Sequence, residues 1–363
     1  MKKSHADNVT MSEGGLYSLA TKGAKDVIDI ATPKVLNAIE QIELKDRFSL
    51  SDSGCADAGT SLDMIRKSIK KAQSINPDIQ TIIIYSDQPA NDFNALMSIV
   101  HGKTQFETWL GQFSNAYPLA SGSSFYLQCV PDQTLHLVFS ATAMHWLSRK
   151  PCNISNHVHM IGAEGTELKS FKDQAKKDWE TILVCRAKEL KPGGKLVLVN
   201  FCRDEQGRYL GHTGGINMFD TFNEIWLEFL SENRISEQEY KNMTLPQYYR
   251  DVEEFSAPLT DENNDVYRSG LRLDSIETRV VTCPFAAQFK IDGDVKAFAD
   301  GLIPTIRSWN QSIYFAALET SRAQIERSAI INDYYQSYHD RVMNNPKGHG
   351  MDYVHAYMTI SKV

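Results

Sequence analysis

The sequence of 363 residues lacks several features that mark large classes of proteins. Its six cysteines never form a Cys-x-x-Cys pair, so the pattern predicts neither a zinc site nor a disulfide framework. No hydrophobic run approaches the roughly 20 residues that a membrane-spanning helix needs. The formal net charge of -7 gives no attraction to a nucleic-acid backbone or an anionic membrane. We therefore expect a cytosolic protein that binds no metal ion, no nucleic acid and no membrane.

Strands alternate with helices through the first 200 residues. Apolar and β-branched runs predict strands at 48–50, 81–85, 122–129, 134–140 and 195–200. This alternation predicts βαβ crossovers and a largely parallel, doubly wound sheet. The segment 205–300 contains an amphipathic helix and a polar acidic stretch, which indicates a helical cap. Residues 351–363 alternate in polarity and predict a final strand that returns to the sheet.

Two acidic loops follow the first two predicted strands, where ligands bind in an open parallel sheet. The first, from Asp52 to Gly59, differs from the G-x-G-x-x-G motif that cradles a pyrophosphate, and its acidity would repel phosphate. The second begins at Asp87, which could accept both hydroxyls of a ribose or could cap the following helix. Together the loops argue against NAD and ATP and favour a cationic ligand such as S-adenosylmethionine.

Seven short motifs, each present once, are spread in a specific order along nearly the whole chain. They are GGLYS at 14–18, DSGCADAGTS at 52–61, SDQPANDFN at 86–94, GSSFY at 122–126, MHWLS at 144–148, KPGGKLVL at 191–198 and MTLPQYY at 243–249. This series resembles the SABATH family, whose members methylate salicylic, benzoic, jasmonic and indole-acetic acids and xanthine alkaloids. The string after GGLYS looks more like non-plant branches of that family.

The resemblance implies a Rossmann-like α/β fold of the class I methyltransferases, with a mostly parallel seven-stranded sheet and a helical cap. It implies S-adenosylmethionine as cofactor, a small carboxylic acid as methyl acceptor and a homodimer. The domain division that follows assigns residues 1–45 to an N-terminal arm and to helices that close over the site. Residues 46–204 form the cofactor-binding core, 205–300 a mainly helical substrate cap and 301–363 the return to the core sheet.

The same resemblance implies a set of cofactor-binding residues. Tyr17 is similar to a residue of the segment that closes over the cofactor. Asp87 with Gln88 resembles the ribose-binding pair, and Ser124 with Phe125 resembles the residues that line the adenine. The full set implied by the resemblance is Tyr17, Asp52, Gly54, Cys55, Asp57, Asp87, Gln88, Ser124, Phe125 and Ser140.

For the acceptor, Trp146 resembles the tryptophan that donates its indole N–H to the substrate carboxylate. Thr142, Trp226 and Tyr353 are implied to line the substrate pocket. Two positions depart from the plant pattern, in which a glutamine pairs with that tryptophan and a tyrosine faces the substrate. This chain has Ala24 and Thr142 there, with Thr21 or Lys22 as a conceivable replacement for the glutamine.

The chemistry sets modest demands on the protein. Methyl transfer from a sulfonium is an in-line displacement, so it depends on alignment of the nucleophile with the methyl carbon. A carboxylic acid is already ionised at neutral pH and needs no general base. His145 could be a base for a hydroxyl, a donor to substrate or a structural histidine at a strand end. The rival hypotheses are a nitrogen, sulfur or hydroxyl acceptor, or a cofactor-binding protein without turnover.

Overall fold

The centre of the protein is a mostly parallel sheet, seen in a computed structural model that describes residues 16–363. The N-terminal arm predicted for residues 1–16 therefore lies outside the described residues, apart from the backbone of Leu16. The described residues contribute seven strands to this sheet: β1 Arg47–Ser53, β2 Gln80–Asp87, β3 Ala116–Gly122, β4 Leu135–Ala141, β5 Leu190–Phe201, β6 Leu271–Val281 and β7 Tyr353–Lys362.

The strand order is β3-β2-β1-β4-β5-β7-β6. Strands β1 to β5 pair in parallel, whereas β7 is antiparallel to both β5 and β6. The order reverses direction between β1 and β4, which is the switch point at which ligands bind beyond the carboxyl ends of the strands. The predicted α/β fold with a mostly parallel seven-stranded sheet is confirmed.

Helices cover both faces of the sheet and build the cap. They are α1 Leu16–Ala20, α2 Lys22–Glu40, α3 Leu62–Ile75, α4 Phe93–Val100, α5 Gly165–Glu189, α6 Met218–Ser231, α7 Glu237–Asn242, α8 Val252–Thr260, α9 Asp265–Arg268, α10 Pro284–Asp292, α11 Val295–Ala317 and α12 Gln324–Asn344. Local sequence fixes several of their starts. Ser236 and Asp251 each begin a helix with a capping box, in which the side chain and a glutamate three residues on satisfy two backbone N–H groups.

Two hydrophobic layers follow from the alternation of side chains along the strands. In β4, Leu137 and Phe139 pack with helices α2 and α3, whereas Val138 belongs to the opposite layer with Trp179 of α5 and Phe255 of α8. Both faces of this strand are buried, which explains its continuous apolar run. The central strands are thereby held rigidly, and their carboxyl ends have fixed positions.

Two elements differ from the sequence-based expectation. The third strand is Ala116–Gly122, not 122–129, and residues 123–129 form a loop after it. Strand β6 lies within 205–300, so that segment contributes an edge strand to the sheet in addition to its helices. Helices α11 and α12 precede β7 within 301–363. The domain boundaries themselves stay a prediction.

Within residues 16–363, every helix is too short or too polar to cross a lipid bilayer.

Candidate active site

The loop that follows β1 has an unusual backbone at the carboxyl edge of the sheet. Gly54 has φ +77°, and a Cβ placed on it would lie 2.4 Å from Cβ of Ala143, so this position requires glycine. Ala56 and Ala58 also have positive φ angles, of 47° and 66°. Such angles cost free energy for non-glycine residues and concentrate at ligand-binding sites. The loop is shaped to turn sharply beneath a ligand.

Two carboxylates at this edge, the buried Asp52 and the half-buried Asp87, have no cationic partner among the described residues. Asp52 accepts a hydrogen bond of 2.6 Å from Ser61 Oγ, and burial raises its pKa to about 7, with a further contribution from Asp87. Asp87 accepts hydrogen bonds of 2.8 Å from the backbone N–H groups of Ala56 and Gln88, and burial raises its pKa as well. Among the ion pairs of the described residues, none includes Asp52 or Asp87.

A third carboxylate ties the N-terminal helix to the loop. Asp57 accepts hydrogen bonds from the backbone N–H of Ser18, at 3.0 Å, and from the Ser18 hydroxyl. Tyr17 is the preceding residue, and burial together with the charges of Asp57 and Asp87 raises the pKa of its hydroxyl far above its ordinary value. Tyr17 is therefore a neutral hydrogen-bonding group, and helix α1 is fixed above the loop.

Two cavities adjoin each other at this place. The first is lined by Tyr17, Ala24, Ile28, Asp52, Gly54, Cys55, Ala56, Thr60, Ser61, Ala141 and Thr142. The second is lined by Tyr17, Thr21, Ala24, Thr142, His145, Trp146, Phe201, Leu210, Gln247, Trp309, Met351 and Tyr353. Tyr17, Ala24 and Thr142 belong to both walls, so these three residues mark the junction of the cavities.

Thr142 has a strained backbone at that junction. Its φ angle is +58°, which is rare for a β-branched residue, and its Oγ1 lies 3.4 Å from Nε2 of His355. The backbone N–H of Thr142 donates to the carbonyl of Val199 on β5. The sheet thus stabilises a conformation that the residue alone would avoid, and the chain turns from the first cavity into the second.

The segment after Thr142 is fixed from several sides. The Met144 N–H donates to Asn200 Oδ1 at 3.2 Å, and the Met144 carbonyl accepts from the fully buried Arg250 at 3.1 Å. The Tyr126 hydroxyl donates to the carbonyl of Trp146. A backbone held at this many points presents the side chains of His145 and Trp146 in one orientation, as a positioning site requires.

His145 is a buried and neutral member of the second cavity. Burial lowers its pKa well below the ordinary value, and the nearby His355 and Arg250 lower it further. Its ring lies 4.7 Å from that of Phe201 in an edge-on arrangement. Within the described part of the chain, its Nδ1 has no hydrogen-bond partner. A buried polar nitrogen without a partner is costly, so this atom is available to a ligand.

The structure brings most of the expected site residues together. Tyr17, Asp52, Gly54, Cys55, Thr142, His145, Trp146 and Tyr353 line the two cavities. Asp57, Asp87 and Gln88 hold the loops at their edge. Phe125 lies 3.8 Å from the point where a Cβ on Gly54 would stand. Ser124 lies in the turn after β3, where its carbonyl accepts from the Leu127 N–H at 2.8 Å.

Two expected residues have positions away from the cavities. Ser140 is fully buried, and its hydroxyl donates to the carbonyl of Ser53 at 2.7 Å, so it supports the loop from beneath. Trp226 is fully buried in the cap, where its ring lies 5.2 Å from Tyr314 and 5.7 Å from Tyr334. The structure does not bring Trp226 to the second cavity, because helix α6 directs it into the aromatic core of the cap.

Several cavity residues had no individual expectation from the sequence. They are Phe201, Leu210, Gln247 and Met351. Gln247 lies within the motif MTLPQYY, which was the signal that could have pointed to it. The others are apolar residues of β5, the cap and the segment before β7, and nothing in their sequence context separates them from core residues.

The first cavity fits S-adenosylmethionine by the chemistry of its walls. It places the buried carboxylate of Asp52 beside backbone with no side chain at Gly54, and beside the Ser61 hydroxyl. The Cys55 thiol stays protonated, because burial and the carboxylates Asp87 and Asp52 raise its pKa. Uncompensated negative charge suits a ligand with a sulfonium and an ammonium group and repels a phosphate. Fold and site together define a class I S-adenosylmethionine-dependent methyltransferase.

Comparison with known proteins agrees with this class. A family profile described as "SAM dependent carboxyl methyltransferase" matches residues 9–277. The chain belongs to this family. Its fold is similar to that of loganic acid methyltransferase with SAH, with a TM-score of 0.74, 18% identity and coverage of 98% of both chains.

Curated relatives come from plants and from a fungus. Loganic acid O-methyltransferase of Catharanthus roseus is 24% identical over 69% of this chain and 70% of that protein. Salicylate carboxymethyltransferase of Clarkia breweri is 26% identical, with coverage of 68% and 71%. Methyltransferase FUS9 of Gibberella moniliformis is 27% identical, with coverage of 73% and 71%. These similar identities do not separate the branches, so the non-plant placement stays a prediction.

Metal ligands were expected to be missing. Over residues 16–363, no group of three or more His, Cys, Asp or Glu side chains is arranged to hold a metal ion.

Proposed function

We propose that this enzyme methylates the carboxylate of a small, largely apolar acid that binds in the second cavity. The observation that carries the proposal is the junction of two chemically opposite cavities at Tyr17, Ala24 and Thr142. Bound in the first cavity, the cofactor would supply an electrophilic methyl group on sulfur. Residues of the second cavity would hold the acid so that one carboxylate oxygen lies in line with that methyl group.

The walls of the second cavity match an apolar acid in chemistry. Phe201, Leu210, Trp309, Met351 and Tyr353 supply apolar surface that excludes water. His145 is neutral and Trp146 donates through its indole N–H, so neither needs to exchange a proton with the acid. Relatives named for loganic acid and for salicylate support an acid with a ring.

The cofactor contacts that we propose rest on the geometry of the acidic edge. Asp87, held at the end of β2 by two backbone N–H groups, would accept the hydroxyls of a ribose, with Gln88 beside it. Asp52 would lie near the cationic end of the cofactor. Phe125 and Ser124, in the loop after β3, would line the adenine. Tyr17 would close over the cofactor, because Asp57 ties its helix to the loop.

The test is transfer of a labelled methyl group from S-adenosylmethionine to a panel of aromatic, indolic, fatty and short aliphatic acids. We expect label in a product that mild alkali cleaves, since an ester hydrolyses under conditions that an N-methyl or ether product survives. Calorimetric titration of the same preparation with the cofactor should show binding. Cofactor binding without alkali-labile label from any acid would contradict the carboxylate acceptor.

A hydroxyl acceptor is the second candidate. The unpartnered Nδ1 of His145 favours it, whereas the lowered pKa of His145 makes this imidazole a weak base and argues against it. A neutral imidazole in the cavity could accept the proton that a hydroxyl loses as it is methylated. In that case the labelled product would be stable to alkali, and His145→Gln would abolish its formation. Esterification of an acid should persist in the same variant, since that reaction transfers no proton to the protein.

Cytosolic location and a homodimer are also part of the proposal. The first rests on the acidic, disulfide-poor composition and the second on the resemblance to the SABATH family. Light scattering on the purified protein would test the dimer.

A further inference from the structure

The second cavity has no positively charged side chain among its described lining residues, although its proposed ligand is an anion. Of the described residues that line it, none is a lysine or an arginine. The nearby buried Arg250 does not line the cavity, and its Nη1 and Nη2 donate to the carbonyls of Met144 and Ala175. A carboxylate in this cavity must therefore be held by neutral N–H or O–H donors.

Trp146 and Gln247 are a cross-strand pair in the wall of this cavity. They form an isolated antiparallel bridge, flanked by a hydrogen bond of 2.7 Å from Leu147 N to the Pro246 carbonyl. A second bond, of 3.0 Å, runs from Tyr248 N to the His145 carbonyl. The bridged residues themselves are thus a non-hydrogen-bonded pair, the arrangement that brings opposite side chains closest together and on the same face.

The amide of Gln247 is oriented by its surroundings. Its Oε1 accepts a hydrogen bond of 3.0 Å from the Tyr249 hydroxyl. With the oxygen end committed to the Tyr249 hydroxyl, the Nε2 end is left as a donor. Gln247 is nearly inaccessible to solvent, so this donor has a fixed environment.

We propose that Gln247 and Trp146 bind the two oxygens of the substrate carboxylate, one donor to each oxygen. The assignment rests on the carboxylate acceptor proposed above. Ala24, across the junction, has no polar side chain and cannot supply this contact. Two neutral donors hold the anion without a full positive charge, so the carboxylate keeps its nucleophilicity toward the cationic methyl donor. Gln247 would thereby take part in acid recognition from the cap side of the cavity.

The experiment compares Gln247→Met and Gln247→Glu with the wild type, on the acid that the wild type esterifies best and on its primary amide as a competitive inhibitor. A hydrogen bond to a charged group is worth enough that Gln247→Met should lower kcat/KM roughly 10-fold to 100-fold. Gln247→Glu should lower it further, because its carboxylate repels the acid. The preference for acid over amide should fall most in Gln247→Glu.

A matched control is available at Asn223, another buried amide. Its Oδ1 accepts a hydrogen bond of 3.0 Å from the hydroxyl of Tyr240, but Asn223 lines neither cavity. Asn223→Leu should lower stability and leave the acid-to-amide preference unchanged. Cofactor affinity, measured by calorimetry, should be unchanged within about threefold in the Gln247 variants, since Gln247 lines only the second of the two cavities.

The outcomes separate the two proposals. If the wild type esterifies an acid and both Gln247 variants keep its preference for acid over amide, the assignment of Gln247 is overturned and the proposed function stands. If the wild type esterifies no acid, both fall, and the failure is visible in the wild type itself. A loss of kcat/KM with an unchanged preference would show a structural role and would also overturn the assignment.

Discussion

The two adjoining cavities differ in how they treat charge. The first is built on carboxylates that lack a cationic partner among the described residues, the buried Asp52 in its wall and the half-buried Asp87 at its edge. The second is aromatic and neutral, with donors such as Trp146 and Gln247 but no lysine or arginine among its described lining residues. The first cavity therefore has ionisable carboxylates for a cationic cofactor. The second cavity has only neutral polar groups for its proposed carboxylate ligand.

This difference has a physical reason in the reaction. Methylation of a carboxylate by a sulfonium brings opposite charges together and cancels them in the transition state. Strong pairing of the acid with a protein cation would stabilise the ground state more than the transition state and slow the step. Pairing of carboxylates with the ammonium group of the cofactor, whose charge the reaction leaves unchanged, secures binding without this cost. The contrast therefore predicts that charge changes matter most in the first cavity.

The largest effect is expected for Asp87→Ala. The substitution removes the acceptor of two backbone N–H groups and the proposed acceptor of the ribose hydroxyls. We expect cofactor affinity, measured by calorimetry, to fall at least about 100-fold. Asp92→Ala is the control, because Asp92 caps helix α4 by accepting from the Ala95 N–H, so it should cost about 1 kcal/mol in stability and keep the affinity. Equal cofactor affinities in Asp87→Ala and Asp92→Ala would contradict the predicted importance of charge on the cofactor side.

The next effect concerns the pH dependence of cofactor binding. Burial raises the pKa of Asp52 to about 7, so the ligand-free protein holds a proton there below that pH. A cationic ligand binds the ionised form more tightly, so affinity should rise about tenfold from pH 6 to pH 8 and then level off. Asp52→Asn should flatten the profile. Ser61→Ala should move the midpoint upward, because the Ser61 hydroxyl lowers this pKa. A flat wild-type profile would contradict the assignment.

The smallest effect on catalysis is expected at Trp226. It is buried against Tyr314 and Tyr334 and lines neither cavity, unlike Trp146. Trp226→Phe should lower the free energy of unfolding by about 1–2 kcal/mol and leave KM for the acid unchanged. Trp146→Phe should instead raise that KM roughly tenfold, since phenylalanine keeps an aromatic ring at this position but lacks the indole N–H. A raised KM for the acid in Trp226→Phe would indicate that Trp226 does contribute to the substrate site.

Much of the fold could be predicted because buried parallel strands leave a strong pattern. Strand β2 contains an unbroken β-branched run, and the apolar run of β5 at 196–199 comes shortly after its Pro-Gly-Gly at 192–194. Edge strands leave a weaker pattern. Strand β3 contains Pro118 and is largely exposed, and β6 alternates charged residues with apolar ones. Their positions depend on pairing with neighbours distant in sequence, which a local pattern does not encode.

The cofactor side of the site could be predicted better than the acceptor side. Asp52 and Asp87 lie in the last two residues of neighbouring parallel strands, whose carboxyl ends must meet at one edge, so their proximity follows from topology. The second cavity is assembled from β5, the cap, α11 and the segment before β7. Gln247 reaches it through an isolated bridge with a residue about 100 positions earlier. No periodicity or spacing in the sequence records such a contact.

Tyr17 and Ala24, which belong to the walls of both cavities, come from the two helices that open the described chain. One displacement of these helices therefore changes access to both ligands at once. Such a displacement must break the hydrogen bonds between Ser18 and Asp57. We therefore expect release of the spent cofactor and of the ester to be coupled through these hydrogen bonds.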